Sequence, residues 1–90
     1  MKKNIAVIVR DRHAEALRMA VGLTLNNDSV DVFLMDTVLD RSDSSIAMNI
    51  EMLGELRVRI ISNRHENGVE TLSTEDIGLR LPQYDTVIPY

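Results

Sequence analysis

The sequence lacks cysteine, and this absence excludes more chemistry than any other feature of its composition. None of the 90 residues is a cysteine, so the chain has no disulfide, no thiolate nucleophile and no zinc–thiolate site. Tryptophan is also absent, and the only aromatic residues are two tyrosines and one phenylalanine. Because the net charge is −4 as well, a basic surface with base-stacking platforms is not expected, and we predict no nucleic-acid partner.

Long hydrophobic runs are missing too. The apolar stretches fall far short of the about 20 residues that a membrane-spanning helix needs, so we expect no membrane partner. A basic pair near the start is followed by a strand-like stretch that Arg10 interrupts, which is not typical of a signal peptide and predicts a cytoplasmic protein. With 90 residues, 44% hydrophobic and 27% charged, the sequence predicts a single domain over residues 1–90.

The first hydrophobic run, residues 4–9, is the element around which the rest of the chain is predicted to fold. Residues 5–9 are consecutive apolar residues rich in β-branched side chains, which is typical of a mid-sheet strand buried on both faces. A helical stretch follows over residues 12–26, with Asp11 as the expected N-cap, and then a second strand at 30–35. A strand, a crossover helix and a strand predict a parallel pair.

Helices and strands continue to alternate in the second half. A helix is expected from Ser44 to Leu53 with Gly54 as its left-handed stop, then a strand at 56–61, a short helix at 73–81 and a last strand near 85–88. This succession predicts an α/β fold, a three-layer sandwich whose doubly wound parallel sheet has about four strands in the order 2-1-3-4. Asn67-Gly68 leaves an alternative open, a hairpin turn between 60–61 and 69–72.

In a sheet of that order the loops after the first and third strands meet at the carboxyl edge, where open α/β sheets bind ligands. These loops carry a group of basic and polar side chains: Arg10, Arg12, His13, Ser62, Asn63, Arg64 and His65. Guanidinium groups and the amino end of a helix suit a phosphate, sulfate or carboxylate, so the group is a candidate anion site. The alternative is that these are solvated loop residues, with the arginines paired to Asp11, Asp36 or Glu66.

No cofactor or metal is expected, and no catalytic residue is assigned. The four glycines form neither a dinucleotide-binding fingerprint nor a phosphate-binding loop, and the histidines lack a ligand spacing that would hold a metal. Ser62 has no G-x-S-x-G setting and no assigned base. A general base at His13 or His65 is the third-ranked hypothesis, because no partner residue is identifiable.

Both of the long predicted helices carry more apolar surface than the cover of a sheet requires. Met19 and Leu23 flank the polar stripe of the first helix, and Met48 and Met52 lie opposite the core face of the second. A glycine in mid-helix, such as Gly22, lowers helix stability by about 1 kcal/mol relative to alanine and is tolerated where helices pack closely. The alternative is that Gly22 has no packing role. These five residues are the predicted contact of a homo-oligomer.

The pattern of apolar residues resembles that of the DsrE/DsrF/DsrH superfamily over essentially the whole chain. The resemblance rests on the opening strand, residues 16–20 with Leu23, and the stretches 30–36, 67–70 and 81–88. It implies a small α/β fold with a parallel sheet, assembly into trimers or hexamers, and in some members sulfur relay through a persulfide. In those members a cysteine lies at or just after the third long strand. Here the region reads Ile60-Ile61-Ser62-Asn63-Arg64, with Ser62 nearest to the cysteine position.

The resemblance therefore supports the predicted fold and a homo-oligomer. Because this chain has no cysteine, the sulfur-relay activity of some members is not expected here. We expect a cytoplasmic, non-catalytic DsrE-like homo-oligomer that serves as a binding or assembly subunit with a link to sulfur metabolism. Its expected partners are copies of itself, in a trimer or hexamer, and other DsrE-like subunits. The alternative is a small-anion or small-molecule-binding protein with a site at the carboxyl ends of strands 1 and 3.

Overall fold

The computed structural model describes residues 3–26 and 28–90, and within them the chain forms five strands and three α-helices. The strands are β1 (Asn4–Val9), β2 (Ser29–Leu34), β3 (Arg59–Ser62), β4 (Glu70–Thr71) and β5 (Thr86–Pro89). The helices are α1 (His13–Leu25), α2 (Ser44–Glu55) and α3 (Thr74–Arg80). Lys2, from the basic pair, and Asn27, in the connection from α1 to β2, lie outside the described residues.

All five strands form one parallel sheet in the order β4-β3-β2-β1-β5. In its register Ile5 of β1 lies beside Val30 of β2 on one side and Thr86 of β5 on the other. The predicted α/β fold with a parallel sheet is confirmed. So is the interior position of β1, since it has a neighbour on each side.

The predicted strand order 2-1-3-4 is wrong, because β3 pairs with β2 and not with β1. β1, β2 and β3 follow one another in a single direction across the sheet, and the chain turns back only after β4, through α3, to place β5 beside β1. The physical reason is that α1 and α2 contact each other and share one apolar cluster. The hairpin alternative is wrong as well, since β4 runs parallel to β3.

Alternate residues of the central strands point into two separate apolar clusters. On the first face, Val7 and Val9 pack with Leu17 of α1 and Leu53 of α2. On the second face, β-strand residues pack against α3 and the segment that follows it, and the buried members of this cluster are Ala6, Ile8, Phe33, Met35, Ile61 and Ile77. Burial of β1 on both faces, as predicted, follows from this arrangement. Within the described residues, α3 is the one α-helix that packs on this second face.

The ends of α1 and α2 differ from the predicted ones. The N-cap of α1 is Arg12, which makes no side-chain capping bond, so the assignment of Asp11 is wrong. Asp43 does cap α2, because its Oδ1 accepts from the backbone N–H groups of Ser45 and Ile46 at 2.9 and 3.2 Å. Within the described residues, no helix combines the length and apolarity needed to cross a membrane.

Gly54 is not the left-handed stop of α2, because the helix continues to Glu55 and the residue with positive φ is Arg57, at 59°. The backbone N–H of Arg57 donates to the Gly54 carbonyl at 3.1 Å, and that of Val58 donates to the Leu53 carbonyl at 3.0 Å. These two bonds form a Schellman motif with Arg57 in the position that glycine usually occupies. The prediction failed because the motif lies three residues beyond the glycine.

Candidate functional site

The structure places the predicted site residues at the carboxyl edge of the sheet but does not bring the two loops together. β2 lies between β1 and β3, so each loop instead contacts the connection that leaves β2. His13 reaches Thr37, and Asn63 reaches Asp36. The expectation of one convergent anion site in the 10–13 and 62–66 loops depended on the wrong strand order.

Asn63 holds the residue that follows β2 in an unusual conformation. Asp36 has φ of 56°, a left-handed value that is uncommon outside glycine and that asparagine and aspartate adopt more readily than other residues. Its backbone N–H donates to Asn63 Oδ1 at 2.9 Å, and Asn63 Nδ2 donates to Asp36 Oδ1 at 2.8 Å and to Thr74 Oγ1 at 3.0 Å. Asn63 therefore ties the ends of β2 and β3 to the start of α3.

Ser62 is fully buried and serves as a structural hydrogen-bonding group. Its hydroxyl donates to the Leu34 carbonyl at 2.9 Å and accepts from the Arg64 backbone N–H and from Asn67 Nδ2, both at 2.9 Å. With its proton and both acceptor sites in use, the hydroxyl has nothing left to offer a substrate.

Asn67, which sequence analysis did not assign to the site, is the centre of this buried group. Its Oδ1 accepts from the Leu39 backbone N–H at 2.9 Å, while its Nδ2 donates to the Thr37 carbonyl at 2.8 Å and to Ser62. An asparagine before glycine signalled a turn, and nothing local distinguished it from an exposed one. In the Asn67-Gly68 pair, the glycine was the informative residue, because it indicated a left-handed turn position and Gly68 has φ of 67°.

The charged residues of the second loop are solvent-exposed and paired locally. Arg64 donates to both carboxylate oxygens of Glu66, at 3.3 and 2.7 Å, and this hydrogen bonding lowers the pKa of Glu66 to about 2. The His65 side chain is 88% exposed and lies 3.6 Å from Glu66. In the first loop Arg12 lies 4.0 Å from Glu15. The alternative of solvated, locally paired arginines describes Arg64 well.

His13 is the more constrained of the two histidines. Its Nε2 lies 2.9 Å from the carbonyl oxygen of Arg10 and 2.8 Å from Thr37 Oγ1. A carbonyl only accepts, so that contact requires a proton on Nε2. This nitrogen therefore joins the loop after β1 to the loop after β2, and in this arrangement it is not a free general base.

A cavity of about 300 Å³ lies at the carboxyl ends of β1 and β5, where the direction in which successive strands are added to the sheet reverses. α1, which follows β1, packs on the first face, and α3, which precedes β5, packs on the second. We call this cavity the switch-point pocket, and it is lined by Ile8, Arg10, Asp11, Met35, Leu81, Pro89 and Tyr90. In α/β sheets the crevice outside the carboxyl ends of strands at such a point is the usual ligand site.

The backbone N–H groups at the end of β1 are already occupied. Those of Arg10 and Asp11 donate to the backbone oxygen of Tyr90 at 3.0 and 3.2 Å. The predicted group contributed Arg10 to this pocket, but the residues from the end of β5 were missed. Their position beside β1 follows only from the strand order.

A second, more polar cavity of about 450 Å³ lies on the second face near the amino ends of the strands, lined by Asn4, Asp31, Arg59, Arg80, Gln83 and Tyr84. The Tyr84 hydroxyl donates to Asp31, and burial together with this carboxylate raises the pKa of Tyr84. Arg59 binds both oxygens of Glu70, at 2.7 and 2.5 Å. Most of the charged groups that line this second cavity therefore already have partners within the chain.

The predicted interface residues fall into two classes. Met19 and Leu23 are partly buried against the first-face cluster, and the Tyr90 hydroxyl lies 3.1 Å from Met19 Sδ. Gly22 is exposed, with no atom within 4 Å of the position a Cβ would take. Met48 and Met52 of α2 are 62% and 41% exposed. Among the predicted apolar contact residues, Met48 and Met52 of α2 are therefore the ones that remain exposed in the single chain.

Among the residues that the structure describes, no group of three or more histidine, aspartate or glutamate side chains has a metal-binding arrangement. Comparison with protein-family models, with characterised proteins and with solved structures finds no match for this chain.

Proposed function

We propose that the protein is a non-catalytic, DsrE-like subunit that assembles with copies of itself through the exposed face of α2. Met48 and Met52 carry this proposal, because they lie one helical turn apart and remain in solvent while Ile46 and Leu53 of the same helix are buried. Flexible methionine side chains adapt well to the irregular surface of a partner subunit. A closed trimer or hexamer is the assembly that the family resemblance favours.

The proposal includes the absence of sulfur relay. No cysteine is present to hold a persulfide, and Ser62, nearest to the family's cysteine position, is buried with its hydrogen bonds satisfied. Incubation with a cysteine desulfurase and labelled cysteine should leave the intact mass unchanged. A stable gain of one sulfur atom would contradict this part of the proposal.

Sedimentation equilibrium at micromolar concentration tests the assembly. We expect a species larger than one chain and its dissociation by Met52→Asp, because a charge buried at a contact is strongly unfavourable. Leu79→Asp is the matched control, since Leu79 is also an apolar helix residue, is 74% exposed and lies on α3. A monomeric wild type ends the proposal, and equal dissociation by both variants moves the contact away from α2. Native mass spectrometry of protein from its own cells would detect other DsrE-like subunits.

A second candidate function is the binding of a small molecule at the carboxyl edge. The observation that favours it is the switch-point pocket, which modifies the expected site from the ends of strands 1 and 3 to the ends of β1 and β5. Its volume is at the lower end of the range for small-molecule sites, and its floor is apolar as such sites require.

A further inference from the structure

We infer that the switch-point pocket binds a small monocarboxylate with an apolar body, and that the guanidinium of Arg10 recognises the carboxylate. The inference rests on the second proposed function and specifies its ligand. It depends on three observations: the apolar floor, the unpaired cation at the rim, and the occupied backbone amides beside it.

The floor of the pocket suits an apolar group. Ile8 and Met35 are 7% and 6% exposed and belong to the second-face cluster, and Leu81 packs against that cluster. The volume of about 300 Å³ is twice that of an engineered apolar cavity of about 150 Å³ that accepts benzene. A single ring or a branched aliphatic chain with a short polar substituent fits this space.

Arg10 is the cation available to such a ligand. The other arginines of the carboxyl edge are engaged, since Arg64 pairs with Glu66, Arg12 lies near Glu15 and Arg41 donates to the Asn67 carbonyl. Within residues 3–26 and 28–90, no carboxylate oxygen lies within 4 Å of the Arg10 guanidinium. A guanidinium presents two parallel N–H groups that match the two oxygens of a carboxylate.

The surroundings favour a monoanion over phosphate. The amides of Arg10 and Asp11 both donate to Tyr90, so these two N–H groups are not free to bind the additional oxygens of a phosphate. The side chain of Asp11 also lines the pocket, and its negative charge disfavours a dianion more than a monoanion.

Calorimetric titration with phenylacetate and its neutral analogue phenylacetamide tests the inference. We expect phenylacetate to bind the wild type more tightly than phenylacetamide. Arg10→Gln should weaken phenylacetate binding about tenfold or more, as the loss of a hydrogen bond to a charged group does, and should leave phenylacetamide binding unchanged. Arg12→Gln is the matched control and should bind as the wild type does, because Arg12 does not line this pocket.

Leu81→Trp, which fills the pocket, should abolish binding of both compounds, and its melting temperature shows whether the variant has folded. Equal binding of the two compounds, unchanged in Arg10→Gln, would overturn carboxylate recognition and leave the pocket as a ligand site. Binding of neither compound by the wild type would overturn the second proposed function and this inference together. Loss of phenylacetate binding in Arg12→Gln but not in Arg10→Gln would assign recognition to the other arginine and also overturn the inference.

Discussion

Replacing Arg57 by glycine is expected to stabilise the protein. Arg57 holds φ of 59° at the end of α2, and a left-handed backbone costs an L-residue with a side chain about 1–2 kcal/mol. Glycine removes that cost, although the greater freedom of glycine in the unfolded chain returns about 0.4–1 kcal/mol. The Arg57 side chain is exposed, and within the described residues it makes neither a hydrogen bond nor an ion pair, so no contact is lost.

The net gain should therefore be about 0.5–1 kcal/mol in the free energy of unfolding. For a domain of this size such a gain raises the melting temperature by about 2–8 °C. Urea unfolding measures it directly, as a higher midpoint with an unchanged slope. Arg57→Ala is the control, since alanine also removes the side chain but keeps the left-handed cost, and it should change the free energy little.

Gly54→Ala should stabilise the protein independently, because Gly54 lies within α2 and a Cβ there would have nothing within 4 Å beyond its chain neighbours and the backbone of its own helix. Combined with Arg57→Gly it moves the glycine to the residue whose backbone favours it. If Arg57→Gly leaves the free energy of unfolding unchanged or lowers it, then the left-handed conformation is not a source of strain and the reasoning fails.

Three further measurements test other parts of the structure. Asn67→Ala removes the hydrogen bonds of a buried amide and leaves a backbone N–H without its acceptor, so the free energy of unfolding in urea should fall by about 2–4 kcal/mol; a fall below about 1 kcal/mol would mean that water replaces the amide. Because burial and Asp31 raise the pKa of Tyr84 above its ordinary 10.0, the folded state holds this proton more tightly than the unfolded chain, and stability should be constant just below pH 10 and fall above it; an equal fall in Tyr84→Phe would assign the titration to another group. Gly22→Ala should raise the free energy of unfolding by up to about 1 kcal/mol, because the new methyl group would meet nothing within 4 Å beyond its chain neighbours and the backbone of its own helix, whereas weaker self-association of the variant in sedimentation would place Gly22 at the contact between copies.

The sequence predicted the elements better than it predicted their neighbours. β1 was predicted with its observed bounds because an unbroken apolar run is a local signal, and Asp43 before α2 is a local capping signal. The position of β3 in the sheet depends instead on the packing of α1 against α2 on the first face. That packing is a tertiary contact, which the local sequence of β3 does not encode. Periodicity within β3 carries no information on whether β1 or β2 lies beside it.

The errors in the candidate site follow from the same cause. A site between the loops after β1 and β3 requires those strands to be adjacent, and β2 separates them. Residue type was still informative, since His13 and Asn63 both make contacts across the edge. The pocket itself could not be predicted, because its lining combines the end of β1 with Leu81 and Pro89, which are distant in the chain.

The pairing of β1 with two strands at very different distances along the chain sets the order in which the sheet can form. Ile5 pairs with Val30, 25 positions later, and with Thr86, 81 positions later, so closing the longer loop costs about 1 kcal/mol more in chain entropy. Folding should therefore join β1 to β2 early and add β5 late. During synthesis the most apolar strand keeps one edge open until residues 86–89 emerge, and a chain stalled before that point presents this edge to other nascent chains as a template for aggregation.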